Sequence, residues 1–345
     1  MAQPRRDWTV GPGRLLAVTG LALLALLPGA CSTDRPESAP TTAPTPTATP
    51  GPEPMPSYSM NPRAPRPTQD KVMLGAYLDL HGLSQAQSVA LRRKQLGRDP
   101  RILHWFYKWD DVLPAAYPGV PKGSVVMLSW DGTRYDRILN GSQDKLITAS
   151  AKNLAKYQKP IFLRWAWEMN GDWSIWGGAQ NGRNPQGFVQ AWRHIHDIFV
   201  KQGATNVGWV WGPNYASIPG DSWNAMANYY PGDEYVDWVG VSGYTDAVRY
   251  TPDALYGAVY QQFAHRKPIM LAETGVRNKG GDLSADWIDL LRQWIDDHRG
   301  VAAMVWFDTD THNRGEKQYI NYRVDRDPAM LAAYQRLASD PHFGG

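Results

Sequence analysis

Eight short apolar runs recur along the chain at roughly 25- to 40-residue intervals, at residues 72–80, 101–109, 124–130, 160–168, 206–211, 236–244, 268–273 and 302–308. Most are rich in Val, Ile, Leu and aromatics, the pattern of parallel strands buried on both faces. Amphipathic stretches lie between most of them, at 84–96, 143–157, 185–201, 252–266 and 285–298. Pro185 and Pro252 stand where a first helical turn accepts proline. The second and fifth connections are less regular and support a helix only weakly. Strands alternating with helices imply a parallel sheet with right-handed crossovers. Eight such units in about 275 residues predict an α/β fold, a (β/α)8 TIM barrel. A doubly wound sheet is the alternative, but the first run reads Leu74-Gly75-Ala76-Tyr77, without a dinucleotide-binding Gly-x-Gly-x-x-Gly.

The pattern is different before residue 68. Arg5, Arg6 and Arg14 precede an apolar stretch that ends in small residues and Cys31, so residues 1–31 read as an export signal. That stretch is broken by Gly20 and Pro28 and is short for a spanning helix. The Ala30-Cys31 end resembles a bacterial lipobox, although Pro28 stands where that pattern has an aliphatic residue; Cys31 is then the expected lipidation site. Residues 32–67 are rich in Pro, Thr, Ala and Ser and bury too little to offset their ordering entropy. They read as a disordered tether. One catalytic domain, residues 68–345, is expected to follow.

Composition narrows the chemistry. The 36 basic and 33 acidic residues leave a formal charge of +3, no electrostatic footprint for nucleic acid. A single Cys excludes an internal disulfide framework and a thiolate-rich zinc site. His194 and His196 are two apart on an expected helix and point to different sides, so no metal and no cofactor is expected. The unusual quantity is tryptophan, 16 residues, absent from the tether and concentrated in the barrel.

Barrel enzymes carry their catalytic groups where strands give way to loops at the C-terminal face. Those positions pick out Glu168 after the fourth run and Glu273 after the seventh, each embedded in apolar sequence. A carboxylate at the end of a buried strand is costly unless paired or used; an ion pair of Glu168 with Arg164 is the plain structural explanation. Two such carboxylates among aromatics fit glycoside hydrolysis, which needs one protonated and one ionised group. Trp165, Trp167, Trp173, Trp176, Trp209, Trp211 and Trp306 cluster near the strand ends. Indole faces stack on sugar rings, yet strand alternation makes part of this set core.

Four motifs give the chain a resemblance to glycoside hydrolase family 26. They are Glu168-Met-Asn-Gly-Asp-Trp173, Trp209-Val-Trp-Gly-Pro-Asn214, Tyr230-Pro-Gly-Asp-Glu-Tyr-Val-Asp-Trp-Val-Gly240 and Lys267-Pro-Ile-Met-Leu-Ala-Glu-Thr-Gly275. The resemblance implies a retaining (β/α)8 hydrolase of β-linked polysaccharide, foremost an endo-β-1,4-mannanase, with mixed-linkage β-glucan or β-1,3-xylan as alternatives. It implies Glu168 as acid/base, Glu273 as nucleophile and Tyr244 as the nucleophile's hydrogen-bond partner. Trp173 and Trp306 are implied to pack on the sugar, and Arg164, Asn170, Trp176 and Trp211 complete the expected substrate-binding set. Trp167 stands where the family's mannanases carry His, and Ser242 where many relatives carry Asp. A non-catalytic carbohydrate-binding surface lipoprotein is the rival from another class. The expected partners are the polysaccharide and, through Cys31, a membrane; a monomer is expected.

Overall fold

The computed structural model describes residues 57–68, 70–246, 249–277, 282–311 and 320–344. The expected signal, Cys31 and the expected tether up to residue 56 lie outside the described residues. Eight parallel strands close into one barrel in chain order. They are β1 (Met73–Asp79), β2 (Ile102–Tyr107), β3 (Val125–Trp130), β4 (Ile161–Trp165), β5 (Val207–Trp211), β6 (Trp238–Thr245), β7 (Ile269–Val276) and β8 (Val301–Thr309). β1 closes the ring by pairing with β8 from Met73↔Ala303 to Asp79↔Thr309.

Helices α1 (Gln85–Leu96), α4 (Pro185–Lys201), α5 (Pro252–Phe263) and α7 (Pro328–Ser339) begin where a polar side chain accepts from the free backbone N–H groups of the first turn. Ser84 and Gln87 form a reciprocal capping box at α1. Asn184 caps α4, and Thr251 caps α5. The other helices are α2 (Tyr135–Leu139), α3 (Asp144–Tyr157) and α6 (Asp282–Asp297). α7 was not anticipated, although Asp327 accepting from Ala329 and Met330, followed by Pro328, is a recognisable start signal.

The two irregular connections carry no α-helix. After β2, Trp109 stacks on Trp130 at 4.6 Å and covers the outer face of the sheet. After β5, three short 3-10 turns place Tyr229 and Tyr230 over Trp211.

Strand alternation divides the core in two. Met73, Ile102, Met127, Phe162, Val210, Trp238, Met270 and Ala303 fill the barrel's interior. Trp130, Trp165, Trp211 and Trp306 instead face the helices and loops outside. Trp165, for example, stacks on Phe188 of α4 at 5.4 Å. The burial of both strand faces explains why the strands read as continuous apolar runs.

The tether is shorter than the sequence suggested. Residues 58–66, expected to be disordered, form a strap on the strand-start side of the barrel. The Asn61 backbone N–H donates to Asp237, its amide side chain donates to the carbonyls of Thr205 and Val207, and the Trp238 indole donates to the carbonyl of Pro65. Tyr58 donates to the Ala264 carbonyl, and buried Lys267 donates to the carbonyls of Ser59 and Asp233. Proline-rich composition hid this because the strap binds through backbone groups rather than an apolar face of its own.

On the opposite side, ion pairs fasten the end of β8. Arg92 of α1 pairs with Asp308 at 2.5 Å and with Asp325 at 3.0 Å, and Arg326 pairs with Asp310 at 2.6 Å. Burial alone would raise the carboxyls of Asp325 and Asp310. Arg323 and Arg92 nevertheless hold Asp325 below the ordinary carboxylate range, and the His81 N–H with Arg326 does the same for Asp310.

Two stability predictions follow from these contacts. Asn61→Ala should lower unfolding stability by about 1–2 kcal/mol, measured by denaturant titration, because it deletes three side-chain hydrogen bonds. Stability from the lowered carboxyls is fully present above their unfolded value near about pH 4 and is lost as pH falls through the lower folded values. Asp325→Asn should therefore flatten the decline in unfolding midpoint between about pH 5 and pH 2. An unchanged slope would refute the assignment.

Candidate active site

Glu168 lies beyond the end of β4, after the strand as the sequence placed it. The strand ends at Trp165, and both Ala166 and Glu168 adopt left-handed backbone conformations, φ 45° and 55°. Such conformations are costly for residues with a Cβ and persist only where surrounding structure imposes them. Here the Glu168 N–H donates to the Gly212 carbonyl at the end of β5 over 2.7 Å, and the Gly171 N–H donates to the Glu168 carbonyl. The turn continues through Gly171, whose missing side chain leaves the space that the Trp173 indole occupies. Trp173 thereby folds back and donates its indole N–H to Glu168 Oε2 at 2.9 Å.

Glu273 enters the site through an irregularity in β7. Met270 and Ala272 point into the barrel, so strict alternation would send residue 273 outward. The register with β6 passes from Val241↔Leu271 to Ser242↔Glu273, and the register with β8 slips over the same stretch. This β-bulge inserts one extra residue and turns Glu273 inward.

There its two oxygens are held by different donors. Arg164 of β4 forms an ion pair with Oε1, and the Tyr244 hydroxyl donates to Oε2 at 2.5 Å. Tyr244 lies 5.0 Å from Tyr322, ring to ring. Burial pushes the Tyr322 phenol up to about 12; Arg277 opposes the rise, and the charges of Asp246 and Glu168 add to it. Glu168 is thus within electrostatic reach of the ring beside the Glu273–Tyr244 pair. Glu168 and Glu273 are both buried, 6% and 3% exposed.

Arg164 pairs with Glu273, so the alternative of an Arg164–Glu168 ion pair is not what the structure shows. Its expected role on the sugar is corrected, because the side chain is fully buried inside the barrel. Trp306 and Trp211 face outward. Trp306 donates to the Tyr322 carbonyl and packs on Tyr334 of α7, and Trp211 donates to the Tyr229 carbonyl. On β8 the inward neighbour is Phe307, stacked on Tyr77 at 4.9 Å. The sequence reading chose the wrong parity of that strand.

Trp176 is likewise core, its indole donating to the Trp167 carbonyl beneath the acid/base turn. Asn170 is fully buried and acts as a clasp between loops. Its amide donates to the Asn214 carbonyl and Ser217, and its Oδ1 accepts from the Asn214 N–H. Only Trp105, Trp173 and Trp223 among the described tryptophans are half-exposed, and of these Trp173 touches a proposed catalytic group.

Tyr77, Phe106, Tyr244, Phe307 and Tyr322 form an aromatic cluster at the strand ends. Sequence reasoning passed over Tyr77, Phe106, Phe307 and Tyr322; consistent inward parity along β1, β2 and β8 would have found the first three. No group of His, Cys, Asp and Glu among the described residues is arranged to hold a metal ion.

Asn170→Ala should leave the Asn214 backbone groups buried without their partner. The cost is about 1–3 kcal/mol of stability. Activity should fall with it, because residue 170 fixes the loop that ends β5 against the Glu168 turn; thermal unfolding and turnover of the same variant check both effects.

Comparisons with known proteins extend beyond the strands that carry the two glutamates. The chain is 33% identical over 256 residues to Endoglucanase H of Acetivibrio thermocellus, spanning 69% of this chain and 27% of that protein. It is 29% identical over 249 residues to Beta-1,3-xylanase TXYA of a Vibrio species, spanning 64% of this chain and 52% of that protein. The chain thus covers only about a quarter and about half of these two relatives. Among solved structures, a Cellulomonas fimi endo-beta-1,4-mannanase double mutant superposes with a TM-score of 0.60 at 18% identity, covering 79% of this chain and 71% of that one, a likeness of fold. The model of glycosyl hydrolase family 26 matches residues 122–321, a stretch that takes in β3 to β8 and both buried glutamates. Most of the barrel, with the Glu168 turn and the β7 bulge, is therefore covered by one family pattern, and the chain belongs to glycosyl hydrolase family 26.

Proposed function

We propose that the protein is an exported, retaining endo-β-glycanase. The observation that carries this reading is the dissimilar treatment of two buried carboxyls. Glu273 receives a cation on one oxygen and a phenol on the other, an environment that favours the ionised form of a nucleophile. Glu168 receives one neutral indole N–H on Oε2, which leaves Oε1 to carry the acid proton. In the first step Glu168 protonates the glycosidic oxygen while Glu273 attacks the anomeric carbon, giving a glycosyl-enzyme. Glu168, now ionised, takes a proton from water, which attacks the same carbon and releases the sugar with its configuration retained. The signal-like residues 1–31 support export, and Cys31 would anchor the enzyme to a membrane when lipidated.

The substrate is a β-linked polysaccharide. The family resemblance supports β-1,4-mannan. A second reading, β-glucan or β-xylan, follows the departure from the family's mannanases at Trp167. Its indole fills the position before the acid/base with a fully buried apolar ring, 5.2 Å from the Arg164 guanidinium and 5.3 Å from Phe106. The names of the endoglucanase and xylanase relatives agree with that reading.

Glu273→Ala and Glu168→Gln should each lower turnover at least about 10³-fold on galactomannan, glucomannan, mixed-linkage glucan or β-1,3-xylan, whichever the wild type cleaves. Azide should rescue Glu273→Ala with formation of an α-glycosyl azide. Rescue that yields the β-azide would contradict the nucleophile assignment. Binding of these glycans with no hydrolysis by the wild type would support the lectin-like alternative.

A further inference from the structure

Three polar side chains on neighbouring strands stand inside the barrel where apolar residues would otherwise fill the layer. They are His104 of β2, Ser129 of β3 and Arg164 of β4, all fully buried. Arg164 Nε donates to Ser129 Oγ at 2.9 Å, and Ser129 Oγ lies 2.7 Å from His104 Nε2. At the other end, the guanidinium meets Ser242 at 3.3 Å and the Oε1 atom of Glu273.

The remainder of the Arg164 side chain is confined as well. Its Cδ would lie 2.9 Å from a Cβ at Gly212, so only glycine leaves it that path, and the Trp167 ring covers the guanidinium. The imidazole of His104 is fixed by Phe106 at 4.3 Å and Tyr77 at 6.0 Å. Ser129 and Arg164 are register partners on adjacent strands, so the hydroxyl sits level with the arginine stem.

We propose that Ser129 and His104 are positioning residues that aim Arg164 at the nucleophile. This rests on the reading of Glu273 as nucleophile. The Ser129 hydroxyl has one proton. When its oxygen accepts from Arg164 Nε, that proton is free to point to His104 Nε2, the arrangement of an imidazole that carries its hydrogen on Nδ1. His104 thus fixes the Ser129 rotor, Ser129 fixes the plane of the guanidinium, and that plane directs one N–H onto Glu273 Oε1. A planar guanidinium donates along fixed directions, so a small rotation about Nε removes that bond. The groups that face the Glu273 carboxylate are then Arg164 from β4 and Tyr244 from β6.

The test reads Glu273 with and without turnover. The side-chain carboxyl of Glu273, 13C-labelled and assigned with Glu273→Gln, is titrated by NMR in the wild type, Ser129→Ala, His104→Leu and His104→Gln. The midpoint should move upward by about one pH unit in Ser129→Ala and His104→Leu, a tenfold change in the ionisation constant. It should stay at the wild-type position in His104→Gln, whose amide oxygen can still accept from Ser129. In parallel, kcat/KM should fall on the order of 10²-fold in the first two variants and recover in the third. The acid limb of its pH profile should move with the NMR midpoint. An unmoved midpoint in folded Ser129→Ala overturns the relay, and so does equal damage in His104→Gln and His104→Leu. If His104→Leu fails to fold, Ser129→Ala and His104→Gln carry the decision. Absence of hydrolysis in the wild type would instead count against the proposed function, while the NMR midpoints still decide the relay.

Discussion

A single buried ion pair, Arg164 with Glu273, constrains the whole upper half of the barrel. Two charges inside a protein lose their water, and their mutual attraction compensates only when geometry and further hydrogen bonds are right. The structure supplies both. Arg164 spreads its donors over Ser129, Ser242 and Glu273, and the second oxygen of Glu273 receives Tyr244. Strands β3, β4 and β7 therefore each contribute one group to the same polar layer, and β6 contributes two. Below it the barrel interior is apolar, filled by Met73, Ile102, Met127, Phe162 and Met270.

That layer separates support from chemistry. Arg164 reaches across the barrel because Gly212 lets its stem pass and the β7 bulge turns Glu273 to meet it. Glu168 is assembled differently, on a turn with left-handed residues, pinned to β5 and braced by Trp173. The proposed nucleophile thus belongs to the sheet and the proposed acid/base to a loop. This division suits the proposed mechanism, in which Glu273 must hold one position while Glu168 exchanges a proton with the leaving group and then with water.

The aromatic residues divide along the same line. Most tryptophans hold helices and loops on the outside of the sheet; Trp165, Trp192, Trp211 and Trp306 lie between strands and their coverings. Tyrosine and phenylalanine occupy the inward positions at the strand ends, where Tyr77, Phe106, Tyr244, Phe307 and Tyr322 meet. The abundance of tryptophan is therefore chiefly a feature of the outer core, and Trp173 is the member that touches the acid/base.

Periodicity alone was enough for the barrel, because strands buried on both faces announce themselves as apolar runs and capped helices fall between them. It also located Glu168 and Glu273, because carboxylates at the ends of such runs are too costly to be incidental. Other features depended on contacts between residues distant in sequence. Strict alternation along β7 would have sent Glu273 to the helices, and only the bulge against β6 and β8 places it inside. Trp306 and Trp211 looked like sugar platforms because the chain does not declare which parity of a two-sided strand faces the axis. Arg164 and Asn170 looked like substrate ligands because a polar residue near a strand end has the same appearance whether it serves sugar or protein. The strap at 58–66 was invisible because it binds through backbone groups, whose partners are supplied by the fold and not by neighbouring residues.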